Sequence, residues 1–358
     1  MRQAAVRTAP MRRPAAANGI ANLACVLDRF PRVEVVVAGD FVADEYVYGE
    51  TERISREAPV LIVRYERSEL RAGGAGNAAQ NLAALGVKVR AVGVVGDDAL
   101  GATLLDVLAA SGIDVSRIQR VRGRATESKT RILAGGRSTR RQQMLRVDRA
   151  PVAPLPAAAE GRIVRELLRA AKGAQAVLAS DYGSASLGPP ALEALRDLKR
   201  SGVPVCVDSR YRIVEYTGVS MVKPNEPELE AATGLSLTVP GGIERAARVL
   251  LRRLACDQLL VTRGHDGMSL FRKGLPPLRI PPHGNQEAVD VTGAGDTVAA
   301  TYSAAIAAGA EPESAARIAN VAGALVVQKA GTATVTRAEL LAEIENGSRS
   351  HAEVAPPR

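Results

Sequence analysis

Val289-Asp290-Val291-Thr292-Gly293-Ala294-Gly295-Asp296-Thr297 sets a carboxylate directly after a glycine-rich turn, and the alanine-rich run 297–308 behind it reads as a helix. Gly293 and Gly295 carry no side chains, so the backbone amides of Gly293, Ala294 and Gly295 can close on an anion. The positive end of the helix dipole points the same way. Asp296, held beside that anion, is placed to take a proton from an attacking hydroxyl. A bare G-x-G-D also serves as an ordinary helix cap, so the rest of the chain has to decide between the two.

Outward from this segment, short apolar runs alternate with Ala/Leu-rich stretches of helical spacing. Strands are expected at 33–38, 89–95, 176–179, 203–207, 221–222 and 258–262. Helices are expected at 76–85, 100–111, 160–172, 191–201, 226–233 and 243–256. Such alternation predicts an α/β fold in which helices cover a mainly parallel sheet. Residues 42–67 and 126–148 break the rhythm with polar/apolar alternation and read as hairpins with one wet face. The two are expected to pair as a small β-sheet lid at the mouth of the main sheet.

Composition narrows the function classes. With 46% hydrophobic and 24% charged residues the 358-residue chain is globular, and no apolar run is long enough to span a bilayer. A cytoplasmic protein without membrane contact is expected. Cys25, Cys206 and Cys256 are odd in number and lack C-x-x-C spacing, which reads as buried thiols rather than a disulfide framework or zinc site. His265, His283 and His351 have no metal-ligand spacing. The net charge of +9 concentrates between Arg117 and Arg149, where eleven Lys or Arg face only Glu127 and Asp148. No aromatic residue interrupts that stretch to stack a base, so no nucleic-acid partner is expected. A phosphorylated small molecule or a solvated face both fit it. The basic N-terminal stretch lacks the apolar segment of a secretory signal and reads as a loose extension over 1–30, before a main domain at 31–346 and a tail at 347–358.

Other motifs carry chemistry only in company. Gly74, Gly76 and Ala79 match G-x-G-x-x-A with Asp97 beyond, yet the preceding Glu66-Arg67-Ser68-Glu69 is not the buried strand a dinucleotide turn leaves. Gly73 and Gly74 instead suit close backbone approach to a polyol, with Asn77 offering both donor and acceptor. Asp40 and Asp44 follow the first expected strand, where open α/β sheets bind ligands. Asn225-Glu226-Pro227-Glu228 opens a helix as a cap, or offers oxygens to the water shell of a Mg2+ ion. Thr262, Gly264 and Gly267 form a strand-end turn that admits a nucleotide, and no Walker A sequence is present.

The order of these motifs, Gly39-Asp40, Gly73-Gly74-x-x-Asn77, Asn225-x-x-Glu228, Thr262-x-Gly264-x-x-Gly267 and Asp290-x-x-Gly293-Ala294-Gly295-Asp296, resembles the ribokinase-like (PfkB-type) carbohydrate kinases from about 33 to 345. Within them, Gly49-x-x-x-Arg53-Ile54-Ser55-x-Glu57-Ala58-Pro59-Val60, Gln142-Gln143-x-Leu145-Arg146-Val147-Asp148 and Gly331-Thr332-Ala333-Thr334-Val335 are similar to the heptose-phosphate kinase branch. The resemblance implies a three-layer α/β/α fold and a kinase that moves the ATP γ-phosphoryl group to the anomeric hydroxyl of D-glycero-D-manno-heptose 7-phosphate. It implies Asp296 as catalytic base with the amides of Gly293, Ala294 and Gly295 as the anion hole. Asp40, Asp44, Gly73, Gly74, Asn77, Lys129, Arg146 and Asp148 would surround the sugar. Asn225, Glu226, Pro227, Glu228, Thr262, Gly264, Gly267, Asp290 and Asn320 would serve ATP, with Asn225 and Glu228 toward Mg2+. A monovalent cation and a homodimer through the lid belong to the same implication. The branch usually has Pro where Arg56 stands and Asp-Pro-Lys where Asp208-Ser209-Arg210 stands. Without an H-x-G-H motif, a kinase without a fused nucleotidyltransferase is expected.

Overall fold

A computed structural model describes residues 23–136, 141–151, 153–284 and 287–353. In chain order the strands are β1 (Glu34–Ile54), β2 (Leu61–Gly74), β3 (Lys88–Gly96), β4 (Asp114–Val121), β5 (Ser128–Gly135), β6 (Gln142–Arg149), β7 (Ala176–Asp181), β8 (Val205–Ser209), β9 (Met221–Val222), β10 (Gln258–Thr262), β11 (Met268–Arg272) and β12 (Leu278–Ile280). The helices are α1 (Ala75–Ala84), α2 (Ala99–Ala110), α3 (Ala157–Ala170), α4 (Pro189–Arg200), α5 (Glu226–Thr233), α6 (Gly242–Leu254), α7 (Ala294–Ala307), α8 (Pro312–Val326) and α9 (Arg337–Glu353).

The main sheet runs β12-β11-β10-β9-β8-β7-β1-β3-β4, parallel from β10 to β4 with β11 and β12 antiparallel. The unbroken apolar run at the start of β1 follows from burial on both faces. Val35 and Val37 enter one core with Leu82 of α1, Leu104 of α2 and Ile318 of α8. Val36 and Ala38, pointing the other way, enter a second core with Ile163 of α3, Leu195 of α4 and Leu250 of α6. The expected three-layer α/β/α arrangement is therefore the observed one. Each Leu or Ile fully buried in these layers contributes about 1.5–3 kcal/mol.

β1 does not stop at residue 38. Its second half leaves the main sheet and pairs antiparallel with β2 and parallel with β5, and β5 pairs antiparallel with β6. One strand thus ties both sheets together. Gly74 ends β2, which pairs antiparallel with β1 outside the parallel sheet, so no dinucleotide-type turn precedes α1.

Three expectations need correction. Residues 1–22 of the extension lie outside the described residues, but Val26, Leu27 and Phe30 are buried in the core, so 23–30 is packed chain. Cys25 is exposed while Cys206 and Cys256 are buried. α9 runs past the boundary set at 346; residues 354–358 lie outside the described residues. Among the described residues no helix is long and apolar enough to cross a membrane.

Candidate active site

The parallel strands deliver Asp40, Asp181, Asp208, Lys223 and Thr262 near their carboxyl ends, and α7 begins beside them. The turn before α7 depends on Gly293, whose φ of 79° suits glycine and where an added Cβ would lie 2.5 Å from Asn77 Nδ2. One turn in, Asp296 is 4% exposed. Asn77 Nδ2 donates to its Oδ2 at 2.8 Å and the Tyr182 hydroxyl donates to its Oδ1 at 2.8 Å. Asn81 donates to the Asn77 backbone and side-chain oxygens, and the Thr297 hydroxyl donates to Asn81 Oδ1 at 3.0 Å. Burial pushes the Asp296 carboxyl up to about 7, with Asp208 adding to the rise and Asn77, Tyr182 and Lys223 opposing it.

Across from this turn lies a buried ion pair. Lys223 Nζ stands 3.0 Å from Asp208 Oδ1 and 3.3 Å from where a Cβ on Gly295 would sit, so the ammonium borders the N-terminal amides of α7. Burial alone would lower the Lys223 pKa; Asp208 and Glu228 outweigh it and keep the group charged. Asn225 and Glu228 form a complete capping box: Glu228 N–H donates to Asn225 Oδ1 at 2.7 Å and Asn225 N–H donates to Glu228 Oε2 at 2.9 Å. Pro227 occupies the first turn of α5, and Glu226 accepts from Arg263 Nε at 2.9 Å. Burial raises the Glu228 pKa, with Lys223 offsetting and Asp208 reinforcing the rise. Among the described residues no group of three or more His, Cys, Asp or Glu is arranged to grip a metal. The donor set fits Mg2+ only in the way that ion commonly binds, keeping waters and phosphate oxygens; Glu228 and Asp208 would face its shell.

The sugar-side candidates divide. Asp44 is buried and Arg131 donates to its Oδ1 at 2.8 Å; a Cβ on Gly73 would lie 2.5 Å from Asp44 Oδ2. A Cβ on Gly74 would lie 3.4 Å from the Tyr182 ring, and Lys129 Nζ stands 5.1 Å from that ring's centroid. Asp40 is placed otherwise than a free acceptor for sugar hydroxyls. At 1% exposure it accepts the backbone N–H groups of Tyr182, Ser184 and Ser186 at 2.8, 3.0 and 3.1 Å, anchoring that loop. Arg146 and Asp148 lie on the exposed strand β6 and pair with each other through two hydrogen bonds, 2.8 and 3.0 Å. Asp148 is opposite Lys129 in register, yet among the described residues no hydrogen bond links it to Asn77 or Asp296.

A pocket of about 400 Å³ is lined by Arg263, His265, Asp266, Met268, Arg279 and Ile280, with Pro281 and Pro282. Thr262 bridges to Asn225 in parallel, which joins this pocket's strand to the α5 cap. Gly264 and Gly267 bound the short turn between β10 and β11. Asn320 Nδ2 donates to the Pro281 carbonyl at 2.8 Å and so fixes the pocket wall. Asp290 accepts from Thr292 N at 2.9 Å and Gly331 N at 2.8 Å, tying the turn before α7 to the 331–335 segment. Burial opposes its ionisation, but those bonds outweigh it and its pKa falls below the usual carboxylate range.

Residues 34–339 match the pfkB family carbohydrate kinase model. The chain belongs to this family. As a PfkB carbohydrate kinase it is a phosphotransferase. It is 39% identical to Bifunctional protein HldE of Pelobacter propionicus over 322 residues, 89% of this chain and 65% of that protein. Bifunctional protein HldE of Geobacter sulfurreducens is 39% identical over 314 residues, 87% of this chain and 63% of that protein. The chain thus spans a little under two thirds of the length of these relatives. Its fold resembles that of Arabidopsis thaliana ribokinase complexed with ribose and ATP, with a TM-score of 0.69 at 23% identity over 87% of this chain and 98% of that one. Phosphofructokinase-2 from Escherichia coli in complex with fructose-6-phosphate gives a TM-score of 0.68 at 18% identity over 88% and 98%.

Sequence reasoning about this PfkB kinase missed Tyr182, Asn81, Thr297, Asp208 and Lys223 as members of the Asp296 surroundings. Lys223 did leave a signal, since a lysine directly after the apolar pair Met221-Val222 and before Pro224 is unusual for a strand end facing a core. Tyr182 left none, being 114 positions from its partner.

Proposed function

We propose that this sugar kinase transfers the γ-phosphoryl group of ATP to the anomeric hydroxyl of D-glycero-D-manno-heptose 7-phosphate, giving the 1,7-bisphosphate. The observation that carries the transfer chemistry is Asp296: a buried carboxylate at a helix N-terminus, poised near neutral pH and bordered by a buried ammonium. A base whose pKa lies near the working pH combines a useful ionised fraction with real basicity. Asp296 takes the proton of the acceptor hydroxyl. The amides of Gly293, Ala294 and Gly295, together with Lys223, take the charge that builds on the transferring group. Phosphoryl transfer asks for positioning and charge neutralisation more than covalent chemistry. Bound Mg2+ would neutralise phosphate oxygens, with Glu228 and Asp208 holding its waters and Asn225 setting the α5 cap.

The pocket behind β10 is the proposed nucleotide site, with Thr262, Gly264, Gly267 and Asn320 shaping it; Asp290 fixes the turn between nucleotide and sugar. Asp44, Gly73, Gly74, Asn77 and Lys129 form the sugar side, and Arg131 and Lys129 give it the positive character a sugar phosphate requires. The heptose assignment rests on the sequence phrases 49–60, 142–148 and 331–335. Residues 23–353 are taken as the catalytic unit, working in the cytoplasm. A homodimer through β2 and β6 fits the exposed Leu61, Tyr65, Leu145 and Val147 on those strands. ADP release measured with heptose 7-phosphate, fructose 6-phosphate, ribose and adenosine tests the substrate. The heptose phosphate should give the highest kcat/KM; preference for another sugar replaces the substrate assignment, and release with none rejects the reaction.

A further inference from the structure

We infer that Tyr182 is a positioning residue for phosphoryl transfer: its phenol and the Asn77 amide clamp the two oxygens of Asp296 and fix the rotation of the carboxylate that receives the acceptor proton. The inference rests on the reading of Asp296 as base and adds to it a residue on a different element.

Three observations converge on the phenol. First, it reaches Asp296 Oδ1 at 2.8 Å while Asn77 holds Oδ2 at the same distance, so the carboxylate has a donor at each end and cannot turn without breaking one. Each oxygen still keeps a second lone pair for an incoming hydroxyl. Second, the loop that carries Tyr182 is itself fixed. Asp40 accepts its backbone N–H together with those of Ser184 and Ser186, and Asp181 accepts the Gly183 N–H at 3.0 Å. This gives the buried Asp40 a purpose, because a carboxylate satisfied by three amides holds the loop rather than a ligand. Third, the ring is seated against Gly74, where a Cβ would come within 3.4 Å of it, and Lys129 stands over its face. The phenol therefore sits between the proposed sugar-side cation and the proposed base. Burial, and the negative charge of Asp296 and Asp208 beside it, keep the phenol protonated, so it acts as donor throughout.

The charged and titratable groups facing Asp296 are Asp208 from β8, Lys223 after β9 and Tyr182 after β7, with the neutral Asn77 from α1. Removing the phenol alone leaves the others and takes away a hydrogen bond to the ionised form, which must raise the pKa of the base. Tyr182→Phe keeps the ring and its packing. It should lower kcat by about 10- to 100-fold, the loss expected for one hydrogen bond to a charged group. The acidic limb of kcat/KM should move up by on the order of one pH unit, with the sugar KM little changed. In parallel, 3-fluorotyrosine placed at position 182, a stronger donor of nearly the same size, should move that limb down. A thermal transition and ATP titration of both proteins establish that they fold. Wild-type kcat with an unmoved limb overturns the inference, and so does a rise in sugar KM alone, which would make the ring a sugar contact. Asp296→Asn, assayed alongside, reports separately on the base: an active Asp296→Asn protein removes the underlying reading whatever Tyr182→Phe does.

Discussion

The turn at the start of α7 and the strand β6 are both rich in charged groups, and they use them in opposite ways. Around Asp296 the charges are buried or nearly so and matched: Lys223 against the partly buried Asp208, the carboxylate against Asn77 and Tyr182. Along β6 every residue is exposed, Arg146 and Asp148 neutralise each other in solvent, and Met144, Leu145 and Val147 face water. A buried pair in low dielectric acts strongly on its neighbours, whereas an exposed pair contributes about 0–1 kcal/mol. The comparison assigns electrostatic work to the strand ends of the main sheet and surface complementarity to the second sheet.

Replacing Lys223 by Met strikes the buried side and should have the larger effect. It removes a cation bordering the α7 amides and leaves Asp208 without its partner, so kcat at saturating ATP should fall by about 10²–10³-fold, the loss typical of one charge-stabilising group. Initial rates checked over pH should also show the acidic limb moving up, because Lys223 holds the Asp296 pKa down. A modest loss confined to the ATP KM would mean that Lys223 only binds ground-state nucleotide.

Arg131→Met probes the junction between the two regions. Asp44 and Arg131 have side chains only 6% and 13% exposed, so removing one leaves a buried charge uncompensated, at a cost of about 3–5 kcal/mol. Urea unfolding measures it, and the sugar KM should rise with little change in kcat. Smallest of all, Leu145→Lys on the exposed strand should leave catalysis per site nearly unchanged while shifting mass from dimer to monomer in sedimentation. An unaltered mass distribution would remove β6 from the proposed interface.

The same contrast explains what could be read from the chain in advance. Val35 to Ala38 and Leu259 to Val261 announce buried strands because burial on both faces leaves only apolar residues. β4 escaped notice because, as an edge strand with one wetter face, it carries Asp114, Arg117 and Arg120. The continuation of β1 to Ile54 was hidden by Gly39 and Asp40, which look like a strand end but sit where the strand passes from one sheet to the other. Asp296 was legible from its local glycine turn. Its clamp was not, since Asn77, Tyr182, Asp208 and Lys223 come from four separate segments that only the sheet order brings together.

Phosphoryl transfer by this kinase depends most on Asp296, and Asp296→Asn tests that role in one protein by two readings. The folded-state pKa is raised from 3.8 to about 7, so the carboxyl binds its proton more tightly when folded. Stability tied to that proton is present below pH 4 and lost as pH rises toward 7. Relative to the non-titrating variant, the wild-type enzyme should therefore lose stability across that window, by on the order of 4 kcal/mol. Turnover of the best sugar phosphate at pH 8 should fall by about 10³-fold in the variant, with ATP binding retained. Wild-type-like turnover in a folded Asp296→Asn protein would contradict the account.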